Sequence, residues 1–185
     1  MSFPRATEMA QTWIRERVQP GAFVVDATTG NGHDTVFLAE LVGRDGKVIA
    51  FDIQAEALRS ARARLDEVGL IQQVSLIHAG HERMAEFIHQ ADAVMFNLGY
   101  LPGSDKSVIT QAKTTIAALK SALQLLNPGG IVTVVAYPGH EGGSNEAEAV
   151  VEWSRGLDPE KLRVARFETL NPTRAAPFAI GIERT

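Results

Sequence analysis

The chain has 185 residues, a length typical of one domain with a substantial hydrophobic core. Its net charge of −4 and its pI of about 5.7 argue against the broad basic surface of a dedicated nucleic-acid-binding protein. The absence of cysteine excludes disulfides and thiolate zinc sites, and makes the cytoplasm the expected location. No apolar run approaches the roughly 20 residues of a membrane helix, and the amphipathic residues 1–18 do not resemble a signal peptide.

Short apolar runs alternate with helical patterns along the chain. The predicted helices cover residues 1–18, 34–43, 54–69, 81–90, 114–130 and 145–157. The predicted strands lie within residues 22–27, 44–53, 73–80, 91–102, 130–138, 162–170 and 177–184. This order predicts a single α/β domain over residues 1–185, with a mostly parallel seven-stranded sheet covered by helices on both faces. The segment "NPTRAA" is too short for a parallel crossover, so the last two strands should form an antiparallel hairpin.

The stretch "DATTGNGHD" (26–34) connects the first strand to the next helix. Gly30 and Gly32 let the backbone approach a ligand closely, and the N–H groups at the start of the helix favour a negative group. Asp52 ends the second strand, where its carboxylate can accept hydrogen bonds from both hydroxyls of a ribose. Ligands of open α/β sheets bind beyond the carboxyl ends of the strands, so these residues predict a nucleoside site.

Two common nucleotide motifs do not match this turn. A dinucleotide site has the pattern G-x-G-x-x-G, but Thr35 occupies the third glycine position. The phosphate-loop pattern G-x-x-x-x-G-K-[ST] is absent. Asp26, at the end of the first strand, would repel a pyrophosphate but suits an ammonium or sulfonium group. S-adenosylmethionine carries both groups together with a ribose and an adenine, and an antiparallel final strand is usual in methyltransferases of this fold.

Five segments carry a more specific resemblance, which runs from about Thr12 to Glu183: "DATTGNGHDT", "FDIQ", "FNLGYLPGSDKS", "TTIAALKSALQLLNPGG" and "YPGHEGG". The chain resembles the class I S-adenosylmethionine-dependent methyltransferases, with their Rossmann-like fold, and within them a small bacterial family labelled "putative rRNA methylases". Characterised members methylate the amine of 5-aminomethyl-2-thiouridine at the wobble position of tRNA. The resemblance therefore implies S-adenosylmethionine as cofactor and the anticodon region of tRNA as partner. Thr28 departs from the common class I pattern, which has glycine there.

Residues at the ends of the first three predicted strands form the expected cofactor site. They are Asp26, Gly30, Asn31, Gly32, Asp34, Asp52, Gln54, Gly80 and His81. Asp34 either receives the methionine ammonium or only stabilises the first helical turn. Gln54 either contacts the ribose or adenine of the cofactor or is only the first residue of its helix. Ile53 packs either on the adenine or in the hydrophobic core. His81 either covers the adenine ring or is a polar helix start.

The stretch "FNLGYLPG" (96–103) leaves the fourth predicted strand beside the expected position of the sulfonium methyl. It resembles the Asn-Pro-Pro-Tyr loop of methyltransferases that act on exocyclic amines, with Leu98 and Gly99 in place of the two prolines. The resemblance implies that Asn97 orients the acceptor amine and that Tyr100 supports it. Glu141 is the third predicted catalytic residue, as an acceptor of the charge that develops on nitrogen. The alternative is an ordinary turn built from Asn, Gly and Pro.

The predicted substrate-binding residues lie near the fourth and fifth strands. Tyr137 is expected to stack on a base, His140 lies over the same crevice, and Lys106 either contacts a phosphate or is solvated. The pair His140 and Glu141 lacks a second histidine at ligand spacing, so no metal is predicted. Membrane association is not expected, and a homodimer is left open.

Three other functions stay open. The acceptor could be another RNA site, such as one in rRNA, or a small amine. A nicotinamide-dependent oxidoreductase would use the same fold, but Asp26 and Thr35 argue against it. An RNA-binding module could keep the fold without the chemistry, but the intact "NLGY" stretch argues for an enzyme.

Overall fold

A seven-stranded sheet forms the centre of the computed structural model, which describes residues 3–99, 109–139 and 142–185. Its strands are β1 (Phe23–Asp26), β2 (Lys47–Asp52), β3 (Val74–His78), β4 (Ala91–Asn97), β5 (Leu126–Ala136), β6 (Leu162–Phe167) and β7 (Phe178–Arg184). They lie in the order β3-β2-β1-β4-β5-β7-β6. Strands β1 to β5 are parallel, and β7 is antiparallel to both β5 and β6. The predicted mixed sheet and its C-terminal hairpin are confirmed.

Helices cover both faces of this sheet. Within the described ranges the α-helices are α1 (Ala6–Arg17), α2 (His33–Val42), α3 (Ala55–Glu67), α4 (Ala112–Leu125) and α5 (Gly143–Arg155). Successive strand residues point to opposite faces, so Val24 packs with α1 and α2 while Val25 packs with α4 and α5. Two hydrophobic cores result, one on each side of the sheet. None of the helices in the part of the chain that the structure describes is long and apolar enough to cross a membrane.

Some predicted element boundaries differ from the structure. The segment 81–90 contains only a 3₁₀ helix, His81–Glu86, which is the usual form of a short connector. The predicted helix 114–130 ends at Leu125, and β5 begins at the next residue because Leu126 pairs with Ala91 of β4. The predicted helix 54–69 ends at Glu67, and Val68, the next residue, is 49% exposed.

The strand order reverses between β1 and β4, and this reversal places the site. From β1 the chain passes through α2 on one face of the sheet, and from β4 it passes to α4 on the other face. The segments that leave the two strands therefore diverge and open a crevice beyond the carboxyl ends of the strands. Asp52, Asn97 and the glycine turn all lie at this edge.

Candidate active site

A cleft of about 520 Å³ opens at the carboxyl edge of the sheet, within the range of roughly 300–1,000 Å³ of small-molecule sites. The predicted site residues that line it are Gly30, Asn31, Asp34, Asp52, Gln54, Gly80, His81, Asn97 and Tyr137. Asp26 and Gly32 lie beside the cleft but do not line it. The other predicted residues, Tyr100, Lys106, His140 and Glu141, lie outside the described residues. Within the described ranges, no cluster of three His, Asp or Glu residues could hold a metal ion.

Asp52 is fixed by two backbone hydrogen bonds. The N–H of Gly30 donates to its Oδ2 at 2.9 Å, and the N–H of Gln54 donates to its Oδ1 at 2.8 Å. Gly30 has a φ of 50°, which turns its N–H toward the carboxylate. Each carboxylate oxygen can accept a further hydrogen bond, so Asp52 can still bind two donors from the cleft.

Gly32 allows close packing of the turn against helix α3. Its φ is 81°, and a Cβ atom there would lie 2.7 Å from the Cα of Ala61 in α3. Arg64 of the same helix donates from Nε to the carbonyl of Asn31 at 2.9 Å. Helix α3 therefore holds the glycine turn against β2. The sequence pattern of the helix does not indicate that Arg64 makes this contact.

Asp26 differs from the prediction that it contacts the cofactor directly. Its carboxylate is buried and accepts hydrogen bonds from the Thr35 hydroxyl at 2.6 Å and from the N–H of Thr28 at 3.0 Å. The side chain thus points into its own loop and braces it from below. Burial, followed by repulsion from Asp34, raises the pKa of Asp26 to about 7.

Asp34 links helix α1 to the predicted catalytic asparagine. Its Oδ1 accepts a hydrogen bond from Gln11 Nε2 at 2.9 Å, and its Oδ2 accepts one from Asn97 Nδ2 at 3.0 Å. Because a carboxylate only accepts, the amide nitrogen of Asn97 faces Asp34 and its amide oxygen lies on the other side. Gln11 belongs to no sequence motif, so its contact with Asp34 could not be predicted from the sequence.

Tyr137 completes this group on the fifth strand's side. Its hydroxyl lies beside the Asn97 side chain, in the cleft that both residues line. Burial and the negative charge of Asp34 raise the pKa of Tyr137, so the phenol stays neutral at pH 7. A neutral phenol can donate a hydrogen bond but does not act as a base.

His81 is held as a neutral ring at the β3 end of the cleft. Its Nδ1 lies 3.1 Å from the Ala27 carbonyl, which can only accept, so Nδ1 carries the hydrogen. Burial lowers the pKa of His81, and its ring packs edge-on against Phe96 with centroids 5.7 Å apart. Nε2 is therefore left as a hydrogen-bond acceptor.

Thr28, which replaces the usual glycine, joins the two halves of the site. Its hydroxyl accepts a hydrogen bond from the N–H of Asn97 at 2.7 Å. A glycine could not make this contact. The presence of threonine where the common class I pattern has glycine was therefore the feature of the sequence that could have indicated this role of Thr28.

Comparison with known proteins agrees with this geometry. The family model described as "Putative rRNA methylase" matches residues 48–183, which is most of the chain. The chain belongs to this family. A second family model, Protein-L-isoaspartate(D-aspartate) O-methyltransferase, matches residues 1–94. That match ends within β4 before Asn97, so it covers the glycine turn and Asp52 but not the segment after β4.

Individual relatives match the chain over nearly its whole length. It is 40% identical over 191 residues to the chloroplastic tRNA (mnm(5)s(2)U34)-methyltransferase of Arabidopsis thaliana, covering 97% of this chain and 70% of that protein. A crystal structure from Clostridium thermocellum, described as a "putative rRNA-methylase", matches with a TM-score of 0.98 and 42% identity, covering all of both chains. A Streptococcus mutans methyltransferase in complex with SAH matches with a TM-score of 0.90 and 34% identity, again over all of both chains. The protein is an S-adenosylmethionine-dependent methyltransferase.

The charges of the cleft fit this cofactor. Asp34, Asp52 and Glu82 lie among the described lining residues, whereas no lysine or arginine does. Such a lining favours a ligand with ammonium and sulfonium groups and disfavours a pyrophosphate. Asp34 and Asp52, rather than Asp26, therefore supply the negative charge that favours a cationic ligand in the cleft.

Replacing Asp26 with Asn should stabilise the protein at high pH. Folded Asp26 keeps its proton up to about pH 7, whereas the unfolded chain releases it near 3.8. The folded state binds more protons between these values, so its stability falls as pH rises through them. An Asn can accept from Thr28 and donate to Thr35, and carries no charge to bury.

We expect the free energy of unfolding of Asp26→Asn, relative to that of wild type, to be about 1–3 kcal/mol higher at pH 8 than at pH 5. The size follows because a pKa shift of one unit corresponds to ~1.4 kcal/mol. Urea unfolding of both proteins without cofactor at the two pH values measures it. Asp45→Asn, at an exposed turn, is the control and should show no such growth. A gain independent of pH would contradict the raised pKa.

Proposed function

We propose that this methyltransferase methylates the aminomethyl nitrogen of 5-aminomethyl-2-thiouridine at the wobble position of tRNA. The observation that carries the proposal is the group formed by Asp34, Asn97 and Tyr137 at the end of β4. The 40% identity to the A. thaliana protein, whose name specifies mnm(5)s(2)U34 of tRNA, supports the same substrate. A cytoplasmic location and a homodimer stay predictions.

We assign the cofactor to the β1–β3 side of the cleft. Asp52 would accept hydrogen bonds from the two ribose hydroxyls, because its oxygens are already held in place by Gly30 and Gln54. Asp34 would attract the methionine ammonium. Gly80 and His81 would lie along the adenine, with Nε2 of His81 as an acceptor. Ile53, which is 57% exposed at the cleft, would pack on the adenine face.

The acceptor amine must lose its proton before it can react. S-adenosylmethionine supplies the methyl group as an electrophile. A primary alkyl amine has a pKa somewhat below the ~10.4 of lysine and is mostly protonated at pH 7, without a free electron pair. Removal from water beside a positive sulfur lowers this pKa, and the proton can leave to water. The chain's residues are then required to orient the neutral amine.

Asn97 is suited to that orientation. Asp34 engages the amide nitrogen of Asn97, so its Oδ1 is the atom that can accept a hydrogen from the amine and direct the electron pair toward the methyl carbon. Tyr137, as a neutral phenol, supports the Asn97 side chain rather than acting as a base. The roles of Tyr100 and Glu141 stay predictions.

The substrate can be tested directly. The purified protein and S-adenosylmethionine should add one methyl group to the aminomethyl nucleoside of tRNA that carries it, as read by mass spectrometry of the digested nucleosides. The same tRNA without the modification is the control and should stay unchanged. If the protein methylated rRNA or a small amine instead, the proposed substrate would be wrong, but the methyltransferase activity would stand.

Asp52→Ala should weaken S-adenosylmethionine binding at least tenfold, about 1.4 kcal/mol, because the ribose loses a charged acceptor. Isothermal titration calorimetry measures the affinity. Asp45→Ala, in the exposed turn before β2, is the matched control and should bind as wild type does. Unchanged affinity in Asp52→Ala would reject the ribose assignment.

Asn97→Ala should lower kcat by about 100-fold or more and leave the cofactor Kd within a few-fold, because the residue acts mainly in the transition state. Asn127→Ala is the matched control, since Asn127 also donates its amide to an aspartate, Asp92, at 2.7 Å, but lies away from the cleft. The wild-type rate should rise with pH until the bound amine is neutral. A wild-type rate that does not change with pH, when methyl transfer is the rate-limiting step, would exclude this mechanism. A normal kcat in Asn97→Ala would exclude it as well.

A further inference from the structure

The backbone after Asn97 lacks the two prolines of the Asn-Pro-Pro-Tyr loops that it resembles. Proline stiffens a chain by fixing φ near about −65° and removes a hydrogen-bond donor. Here Gly99 has a φ of 129°, which proline cannot adopt, and the N–H of Leu98 donates to the Val135 carbonyl at 2.9 Å. The restraint on this segment must therefore come from hydrogen bonds.

Thr110 supplies those hydrogen bonds at Gly99. The N–H of Gly99 donates to the Thr110 hydroxyl at 2.8 Å, and the N–H of Thr110 donates to the Gly99 carbonyl at 2.9 Å. The two residues thus form a closed pair next to the cleft, which both of them line. The pair fixes the peptide two residues after Asn97.

A buried glutamate of helix α5 holds this pair. Glu146 is 3% exposed, and its Oε2 accepts the Thr110 hydroxyl at 2.6 Å while its Oε1 accepts the Thr115 hydroxyl at 2.6 Å. A threonine hydroxyl has one hydrogen, so donation to Glu146 leaves Thr110 with only lone pairs for Gly99. Glu146 therefore sets the direction of the Gly99 hydrogen bond. A buried carboxylate is costly unless it is satisfied, and the two threonine hydroxyls each satisfy one of its oxygens.

We propose that Glu146, acting through Thr110, is a positioning residue for methyl transfer. The hydrogen bonds from Glu146 to Thr110 and from Gly99 to Thr110 restrain the backbone that carries Asn97, in place of the missing prolines. The inference rests on the role proposed for Asn97. Sequence patterns do not reveal it, because Glu146 reads as an ordinary polar residue of an amphipathic helix.

Two threonine variants separate positioning from simple stability. Thr110→Val keeps the side-chain shape and the backbone hydrogen bond to the Gly99 carbonyl, but loses the hydroxyl that accepts from the Gly99 N–H and donates to Glu146. Thr115→Val loses a bond of equal length to the same carboxylate but has no contact with Gly99. We expect Thr110→Val to lower kcat about tenfold or more and to leave the cofactor Kd within a few-fold of wild type. We expect Thr115→Val to lower Tm and to leave kcat within a few-fold of wild type. Thr110→Ser, which keeps the hydroxyl, should restore kcat.

Amide exchange of Gly99, measured by NMR, tests the contact without any substrate. It should accelerate about tenfold or more in Thr110→Val and stay near wild type in Thr115→Val. Unchanged Gly99 exchange in Thr110→Val would overturn this inference. A wild-type protein that leaves the modified tRNA unmethylated would instead overturn the proposed function, so the two failures are distinguishable.

The part played by Glu146 is tested by a double-mutant cycle. If Glu146 acts through Thr110, Glu146→Gln should lower kcat in the wild-type background and have little further effect in Thr110→Val. Additive losses, or equal losses of kcat in Thr110→Val and Thr115→Val, would overturn the positioning role.

Discussion

The hydrogen bond from the Asn97 N–H to the Thr28 hydroxyl spans the point where the strand order reverses. The chain leaves β1 and β4 toward opposite faces of the sheet, and this contact, together with that of the Asn97 amide with Asp34, joins the two sides of the crevice above the strands. The contact sets the distance between the glycine turn and the segment after β4. Methyl transfer needs both sides in register, because misplacement by as little as ~1 Å can be costly in rate.

Negative charge is the second constraint on the site. Asp26 lies close enough to Asp34 and Asp52 for both to raise its pKa, and burial raises it further. The fold without a ligand therefore carries electrostatic repulsion at its centre. A cationic ligand relieves that repulsion, so the same arrangement that destabilises the free protein favours S-adenosylmethionine. The hydrogen bonds of Thr28 and Thr35 to Asp26 offset part of the cost.

Much of the site could be predicted because its residues follow apolar strands directly. Asp52 and Asn97 are the last residues of β2 and β4, and Gly30 lies in the turn after β1. The carboxyl ends of parallel strands share one edge of the sheet, so strand ends read from the sequence become neighbours in space. The direct contact expected of Asp26 differs from the structure, because Asp26 pairs with Ala50 and Met95, two residues before Asp52 and Asn97, and its own loop covers its carboxylate.

The sequence by itself determined the alternation of strands and helices, the C-terminal hairpin and the strand-end residues, since all of these follow from local periodicity and short connections. Only the tertiary structure decided that Gln11, Thr110 and Glu146 belong to the site, and that β5 begins at Leu126. These outcomes depend on contacts between segments far apart in the chain. A polar residue in an amphipathic helix looks the same whether it faces water or a buried partner, so its partner is settled only when the helices pack.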